Sequence, residues 1–263
     1  MNERGMIPFL NGTPAEKSPM SDMLDLSNVS MEEVMEEARR MLELLVEYKE
    51  LRMMYTCALK TMRTKFEVLD AEFNARYQRN PINFISARVK SNLSIVSKMQ
   101  RKGLALNVDN MEKEVLDIAG IRIICSYLDD IYQLANALLS QDDVRLLRRK
   151  DYIASPKPNG YRSLHLVVSV PVYFASQRKE IPVEVQIRTI AMDFWASLEH
   201  QMKYKQEISE QELVMSRLKS CADRIADLDS EMQDIRMQIE AAKDKPSPDD
   251  ALMQRFAQLN DIV

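Results

Sequence analysis

Apolar and aromatic residues recur at alternating steps of four and three along the first long segment of the chain. Twelve positions keep this spacing, and one of them is an arginine: Val34, Ala38, Met41, Leu45, Tyr48, Arg52, Tyr55, Leu59, Met62, Phe66, Leu69 and Phe73. A heptad stripe of this length predicts a long amphipathic helix. Ser30 and Glu33 form the capping-box pattern, so we expect the helix to begin there.

A second stripe with the same spacing follows Ser209, which repeats the capping pattern with Glu212. Its positions are Val214, Leu218, Cys221, Ile225, Leu228, Met232, Ile235 and Ile239. The prolines in K-P-S-P at 245–248 end this helix, and residues 249–261 suit a short terminal helix. Periodicity leaves open whether the two long helices pair with each other, pack on the core or build an oligomer.

Between the helical segments the hydrophobic period falls to two. This alternation predicts strands at 120–127, 144–153, 163–174 and 181–187, with a helix at 130–140. Connections by both a turn and a helix imply a mixed sheet, with helices covering one face. The predicted fold is therefore α/β (α+β), a mixed sheet flanked by long N- and C-terminal helices. Residues 1–29 have no sustained period and are expected to form a flexible leader.

The alternation also sorts polar side chains onto one face of the sheet. Around His165 the even-numbered positions are apolar, and Glu184 and Gln186 alternate with valine and isoleucine. A six-residue turn at 175–180 predicts a hairpin that brings these three side chains to one face. Arg122 leaves the core in the same way. A solvated surface is the alternative interpretation of this face.

Residues 88–102 concentrate positive charge. On one helix, steps of four, four and three would place three cations and a hydroxyl on a single stripe, with Val89, Leu93 and Val96 toward the core: the stripe is Lys90, Ser94, Lys98 and Arg101. No acid interrupts it, although the chain has a formal net charge of -4. Because like charges at this spacing repel, the stripe favours a polyphosphate ligand over an ordinary solvated face.

Two acids suggest a divalent cation beside that stripe. Asp117 precedes the first predicted strand and Glu184 lies inside a later one. If these strands are neighbours, both carboxylates can bind one Mg²⁺ together with substrate phosphates. The residues therefore predict a magnesium–nucleotide site, with purely structural acids as the alternative.

Composition excludes several functional classes. The acidic balance, with a pI of about 5.5, argues against a protein that coats nucleic acid non-specifically. Three cysteines without metal-type spacing argue against disulfides and structural zinc. No apolar run approaches the roughly 18 residues of a membrane span, and the first thirty residues lack the order of a secretory signal. We therefore expect a cytoplasmic protein with no membrane partner.

Five ordered motifs over about residues 55–205 give the chain a family resemblance: R-V-K-x3-S-x3-K-x2-R-K-G, D-I-A-G-I-R, K-P-N-G-Y-R-S-L-H, V-E-V-Q-I-R-T and F-W-A-S-L-E-H. They resemble the synthetase domain of the RelA/SpoT family, and the length is similar to small alarmone synthetases of the RelQ type. The resemblance implies a nucleotidyltransferase-like synthetase domain over 30–208 and an oligomerising helical extension over 209–263. It implies transfer of pyrophosphate from ATP to the 3′-hydroxyl of GDP or GTP, giving ppGpp or pppGpp and AMP.

The same resemblance implies roles for the motif residues. The ATP-binding set is Arg88 and Arg122, which stack on adenine, and Lys90, Ser94, Lys98 and Arg101, which contact the polyphosphate. The GDP/GTP-binding set is Lys157, Asn159, Tyr161, His165, Gln186 and Asp193, with Tyr161 stacked on guanine. Glu184, Asp117 and His165 are the catalytic set, and Asp117 and Glu184 bind Mg²⁺. Asp193 stands where some relatives have asparagine, which leaves the GDP versus GTP preference open.

Other functions remain open within or beside this family. RelQ-type relatives include binders of single-stranded RNA, so a catalytically quiet RNA-binding regulator is one alternative, although the acidic pI opposes it. Toxin-like relatives use adenine nucleotides or tRNA as acceptor, and a tRNA acceptor would require a basic surface. RelQ-type tetramers are activated by (p)ppGpp, but Arg63 and Lys65 match that site too loosely to assign it. The two histidines, His165 and His200, are too few for the family's metal-dependent His-Asp hydrolase domain, so we expect a synthetase only.

Overall fold

The computed structural model describes residues 31–204 and 211–243, and the chain divides into two compact units, 1–46 and 47–263. The described residues form six helices, α1 (Met31–Tyr77), α2 (Asn92–Arg101), α3 (Val108–Glu114), α4 (Leu128–Leu139), α5 (Ile190–Tyr204) and α6 (Gln211–Lys243). Five strands accompany them, β1 (Ile82–Val89), β2 (Ala119–Cys125), β3 (Arg145–Asp151), β4 (Leu164–Tyr173) and β5 (Arg178–Thr189). The predicted leader, Ser30, Ser209 and the helix predicted at 249–261 lie outside the described residues.

A five-stranded mixed sheet lies at the centre of the second unit. Its order is β1-β2-β5-β4-β3, with β2 and β5 parallel and the other neighbours antiparallel. The predicted mixed sheet with flanking helices is confirmed, and four of its strands correspond to the predicted ones. Edge strand β1 was not predicted, because I-N-F-I-S-A-R-V does not alternate and most of its residues are exposed.

The hydrophobic core lies between one face of this sheet and the helices. It includes Leu164, Leu166 and Val168 of β4, Val183, Val185 and Ile187 of β5, Ile131, Leu134 and Leu138 of α4, and Tyr55, Leu59, Met62, Phe66 and Leu69 of α1. Burying one such side chain contributes roughly 1.5–3 kcal/mol, so this apolar layer dominates the stability of the sheet. The heptad stripe of α1 is thus core packing in its second half, whereas Val34, Met41 and Leu45 are exposed.

Helix α6 packs on the rest of its unit through Leu218, Ala222 and Ile225, which form an apolar cluster with Trp195, and through a polar stripe further along the helix. Asp229 and Gln233 are buried, and Asp229 Oδ2 accepts a hydrogen bond of 2.6 Å from Thr189 Oγ1. Gln233 Nε2 donates to Asp129 Oδ2 at 2.7 Å. The apolar stripe found in the sequence is largely exposed on this helix, at Leu228, Met232, Ile235 and Ile239. No helix within the described ranges is both long enough and apolar enough to cross a membrane.

The single helix predicted over 88–102 is wrong in its first part. Arg88 and Val89 end β1, Lys90 precedes the helix, and α2 begins at Asn92. The predicted inward position of Leu93 is also wrong, since this side chain is 81% exposed and Ile95 and Met99 are the buried ones. No glycine or proline marks the junction between β1 and α2. The spacing of the cationic residues therefore continues from the strand into the helix, and the sequence does not reveal where the helix begins. The predicted turn at 175–180 is shorter, because β4 ends at Tyr173 and β5 begins at Arg178.

Candidate active site

Two rows of side chains cross the face of the sheet that lies opposite the core. Residues paired across neighbouring strands share a face, so the register fixes both rows. One row is Arg88, Gly120, Glu184, Val167 and Arg148, and the next is Ser86, Arg122, Gln186, His165 and Lys150. The predicted common face of Arg122, His165, Glu184 and Gln186 is confirmed by this register.

These rows line two clefts that meet at a pair of carboxylates. Arg88, Lys90, Arg122 and Gln186 line the first cleft, which also includes Ser86, Asp117, Gly120, Ile121 and Glu184. Five cations line the second, Lys98, Lys102, Arg148, Lys150 and Lys157, together with Tyr152, His165, Asp117, Glu184 and three further residues. Asp117 and Glu184 belong to both clefts because β2, which follows Asp117, pairs with β5. The strands that carry the two predicted metal-binding acids are therefore neighbours.

Asp117 is held between two lysines. Its Oδ2 lies 2.9 Å from Lys90 Nζ and 2.7 Å from Lys98 Nζ, while its Oδ1 is buried without a hydrogen-bond partner. Burial raises the pKa of the Asp117 carboxyl, but hydrogen bonds from Lys98 and Lys90 outweigh it, so the pKa lies below its usual value. Asp117 is therefore ionised at neutral pH. Lys90 reaches it from outside the helix and Lys98 from α2.

Glu184 is oriented by two donors on neighbouring positions of the sheet. Its Oε1 lies 3.5 Å from His165 Nδ1, and its Oε2 accepts a hydrogen bond of 3.0 Å from Gln186 Nε2. Burial raises the pKa of the Glu184 carboxyl, but His165 and then Gln186 stabilise the anion, so the net pKa is lowered. The site thus contains a second ionised carboxylate with a fixed orientation.

The loop at 155–162 turns at Gly160, whose φ of +89° falls where residues with a Cβ are strained. Gly160 N donates to Lys157 O at 2.8 Å, and Lys157 N donates to Tyr161 O at 3.1 Å. Asn159 Oδ1 accepts from Tyr161 N at 3.2 Å. Lys157 Nζ lies 4.6 Å and 4.7 Å from the ring centres of Tyr152 and Tyr161, as in a cation–π contact. The loop therefore presents aromatic rings and a cation beside the second cleft.

The rear of this loop is held by α6. Arg162 donates to Ala222 O at 3.1 Å and to Asp223 Oδ1 at 3.0 Å. A Cβ added to Gly160 would lie 2.5 Å from the Ala222 Cβ, so glycine permits this close approach. Trp195 Nε1 donates to Leu218 O at 2.9 Å nearby. The helix that the sequence indicated for oligomerisation is thus also part of the scaffold behind the loop.

Arg188 is a central residue that sequence reasoning missed. Its side chain is 6% exposed, and it donates to Tyr161 Oη at 2.5 Å and to Gln186 Oε1 at 3.0 Å. Asp193 Oδ1 accepts from both Arg188 at 3.2 Å and Arg122 at 3.3 Å. The signal was present, because Arg188 continues the alternation of Glu184 and Gln186 in V-E-V-Q-I-R. Arg148 and Lys150 of β3 were missed in the same way.

The remaining predicted residues are less closely gathered. Ser94 and Arg101 are exposed on α2 and line neither cleft, although Lys98 on the same helix does. Asn159 Nδ2 donates to Glu199 Oε1 at 3.1 Å, and Asn159 lines neither cleft. The structure therefore brings most of the predicted set together in the clefts that meet at Asp117 and Glu184, with Tyr161 and Asp193 in contact with cleft residues, and leaves Ser94, Arg101 and Asn159 outside both clefts.

Known proteins are similar to this chain in both sequence and fold. A family model described as the region found in RelA and SpoT proteins matches residues 87–209. The GTP pyrophosphokinase YwaC of Bacillus subtilis is 42% identical over 194 residues, covering 74% of this chain and 92% of that protein. The crystal structure of small alarmone synthetase 2 from B. subtilis aligns with a TM-score of 0.66 and 42% identity, covering 73% of this chain and 99% of that one. Small alarmone synthetase 1 of the same organism, bound to its product pppGpp, aligns with a TM-score of 0.66 and 35% identity over 73% of this chain and 98% of its own.

Proposed function

We propose that this chain, which belongs to the RelA/SpoT family, is a GTP pyrophosphokinase. It is similar to small alarmone synthetases over most of its length. It transfers pyrophosphate from ATP to the 3′-hydroxyl of GDP or GTP, makes ppGpp or pppGpp, and releases AMP. The observation that carries this proposal is that two cation-lined clefts meet at Asp117 and Glu184. Such an arrangement suits two phosphate-bearing substrates that react at one point.

The first cleft is the proposed donor site. Arg88 and Arg122 lie on adjacent strands of one face, where two guanidinium planes can stack on adenine. Lys90 and Lys98 form ion pairs with Asp117, and both lysines are placed to bind the phosphates of ATP instead. Catalysis of this kind depends on alignment and charge more than on covalent chemistry. Ser94 and Arg101 are proposed as outer contacts of the polyphosphate, as their place on α2 allows.

The second cleft and the adjoining loop are the proposed acceptor site. Tyr161 offers its ring to guanine with Asn159 beside it, and Lys157 holds the ring from one side. Arg148 and Lys150 add positive charge for the 5′ phosphates of GDP or GTP, because their strand borders this cleft. Asp193 is proposed to act on the guanine nucleotide indirectly, through its shared contacts with Arg122 and Arg188.

Glu184 is the proposed acceptor of the hydrogen bond from the attacking 3′-hydroxyl. Because its pKa is lowered, the carboxylate is a weak base that is charged at neutral pH and serves chiefly to orient the hydroxyl. His165 and Gln186 fix the plane of this carboxylate. The nucleophilic oxygen is thereby directed at the β-phosphorus of ATP. As the new O–P bond forms, the bond from the β-phosphorus to the bridging oxygen breaks on the opposite side, AMP leaves with that oxygen, and the hydroxyl proton passes to Glu184.

Mg²⁺ is the proposed cofactor, and the residues present suit it. Asp117 Oδ1 is buried and unpartnered, and Glu184 lines the same two clefts. Among the described residues no cluster of three or more metal-type side chains exists, which is consistent with an ion bound largely through substrate phosphates and water. When bound, the ion neutralises charge that develops on the transferred group.

We further propose a cytoplasmic homotetramer. The exposed apolar positions of α6, among them Leu228, Met232, Ile235 and Ile239, support a contact between copies of the chain. Light scattering of the purified protein tests this, and a monomeric mass refutes it. Arg63 donates to Ile85 O at 3.0 Å and Lys65 pairs with Asp143 at 2.7 Å, so we assign no (p)ppGpp activator site to these cations.

The decisive experiment for the function is acceptor labelling. Purified protein is incubated with γ-labelled ATP and Mg²⁺ and, in separate reactions, GDP, GTP, GMP, AMP or tRNA. Label transferred to guanine nucleotides supports the proposal, and Glu184→Gln serves as the inactive control. Transfer to AMP or tRNA alone contradicts it and favours the toxin-like alternative.

A further inference from the structure

The Tyr161 side chain makes contacts that base stacking does not require. Its hydroxyl lies 2.5 Å from a guanidinium nitrogen of Arg188 and 2.8 Å from His165 Nε2. Arg188 is almost fully buried, and its guanidinium centre lies 5.0 Å from the centre of the Tyr161 ring. A buried cation therefore fixes this hydroxyl from one side and an imidazole receives it on the other.

Hydrogen-bond capacity determines the direction of the first contact and limits that of the second. Arginine has only donors, so the Tyr161 oxygen accepts from Arg188. The single hydrogen of the Tyr161 hydroxyl is then free to be donated to His165 Nε2, 2.8 Å away, provided that the imidazole does not itself carry a proton on Nε2. A neutral imidazole that accepts at Nε2 carries its proton on Nδ1.

A proton on His165 Nδ1 would be directed at Glu184. His165 Nδ1 lies 3.5 Å from Glu184 Oε1, and no nearer acceptor faces it among the described contacts. The other neighbours of the imidazole are the edge-on ring of Tyr152 at 5.2 Å and, across the sheet, Lys150 and Gln186. With His165 neutral and its proton on Nδ1, Arg188, Tyr161, His165 and Glu184 form one directed series of donors that ends on the carboxylate.

We propose that Arg188 is a positioning residue that acts through the Tyr161 hydroxyl to hold neutral His165 with its proton on Nδ1, directed at Glu184. The importance of this for catalysis rests on the proposed function, in which Glu184 orients the 3′-hydroxyl. Tyr161 then has two separable roles. Its ring supports the acceptor base, and its hydroxyl keeps His165 in the tautomer that orients Glu184.

Nitrogen NMR of the full-length protein tests the tautomer without any nucleotide. The chain has two histidines, so ¹⁵N-histidine labelling gives two sets of signals, with the exposed His200 as an internal reference for fold and conditions. Spectra are recorded at rising pH until the histidine signals no longer change, and this limit reports the neutral forms. We expect His165 to carry its proton on Nδ1, whereas His200 shows the Nε2-protonated form that predominates in water.

Paired variants separate the contribution of Tyr161 and Arg188 from that of Glu184. Glu184→Ala removes the acceptor at Nδ1, and we expect His165 to keep the proton on Nδ1 because Tyr161 still donates to Nε2. The double variant Glu184→Ala/Tyr161→Phe also loses the Tyr161 hydroxyl that donates to Nε2. The His165 signals should then change to those of the Nε2-protonated form. Glu184→Ala/Arg188→Met should give a mixture, because the Tyr161 oxygen can then accept from Nε2.

Two results overturn the proposal. An Nε2-protonated His165 in the unmodified protein contradicts the geometry directly. If His165 changes to the Nε2-protonated form in Glu184→Ala alone, then Glu184 determines the tautomer and Arg188 and Tyr161 do not. Because these spectra need no substrate, they remain informative if the acceptor assay fails.

Kinetics connect the tautomer with turnover. Tyr161→Phe keeps the ring, so the acceptor KM should stay within about twofold while kcat falls about tenfold, on the scale of one lost hydrogen bond. Tyr161→Ala, which removes the ring as well, should raise the acceptor KM. Unchanged kcat in Tyr161→Phe limits Tyr161 to base stacking and refutes the catalytic part of the proposal.

Discussion

Replacing Gly160 by alanine should displace the loop at 155–162 from α6. At this position φ is +89°, and the added Cβ would lie 2.5 Å from the Ala222 Cβ. Two effects therefore lower the stability of the variant, the strained backbone at this position and the collision of the added Cβ with α6. Gly103 separates them, because its φ of +66° is also positive but no heavy atom would lie within 4 Å of an added Cβ.

The magnitudes follow from these two environments. A left-handed alanine costs roughly 1–2 kcal/mol, which is the whole effect expected for Gly103→Ala. Overpacking adds about 1–3 kcal/mol at Gly160, so Gly160→Ala should lose about 3 kcal/mol. At roughly 2–4 °C per kcal/mol for a chain of this size, the Tm should fall by about 3 °C in Gly103→Ala and about 8 °C in Gly160→Ala.

Calorimetry and steady-state kinetics measure the two consequences. The acceptor KM of Gly160→Ala should rise about tenfold, because Lys157 and Tyr161 move with the loop, while the affinity for an ATP analogue stays unchanged. Ala222→Gly supplies the rescue, since it removes the atom that collides and by itself costs about 1 kcal/mol as a helical glycine. The double variant should then be about 2 kcal/mol more stable than the sum of the single changes. Equal Tm losses at Gly103 and Gly160, or strict additivity with Ala222→Gly, refute the close contact between loop and helix.

Three further outcomes follow from the site. Glu184→Gln should abolish product formation while equilibrium dialysis finds nucleotide affinities within about threefold of the parent, and retained turnover would remove its role in orienting the hydroxyl. Lys150→Ala should raise the acceptor KM about tenfold and lessen its dependence on salt, whereas Arg145→Ala, exposed on the same strand and outside both clefts, should change neither. The pKa values of Asp117 and Glu184 are lowered in the folded protein, so their contribution to stability is present above the ordinary carboxyl pKa of about 4 and is lost as the pH falls through the folded pKa values; Asp117→Asn should therefore flatten the Tm profile at acidic pH.

The sheet was predictable where alternation was strong. Strands β4 and β5 alternate almost without exception, and their register follows once Val183, Val185 and Ile187 are assigned to the core. Strand β1 escaped because it is an edge strand with little buried surface, so burial imposes no pattern on it. The start of α2 was misplaced for a related reason, since Ser91 caps the helix inside a run that looked continuous.

The polar site was predictable as a face and only partly as a set of contacts. Alternation identified Arg122, His165, Glu184 and Gln186, because facing away from the core is a local property of each strand. The lysine pairs on Asp117 required two elements to converge from different parts of the chain, which spacing does not encode. Arg188 lay within the same alternation, but burial of a guanidinium is understood only when its acceptors on two other segments are known.

Helix α6 separates what periodicity can and cannot establish. Its heptad spacing predicted a helix correctly, and Leu218 and Ile225 of that stripe pack on the same unit, but the contacts further along the helix are polar, through Asp229 and Gln233. A polar stripe is invisible to a hydrophobic pattern because its partners, Thr189 and Asp129, lie on other elements. The same helix supplies Ala222 behind the acceptor loop, so a shift of α6 by one turn, about 5.4 Å, would remove both the anchors and the support of the loop. The position of α6 is therefore set by its polar contacts together with the apolar cluster of Leu218, Ala222 and Ile225 against Trp195, and the proposed acceptor site depends on both.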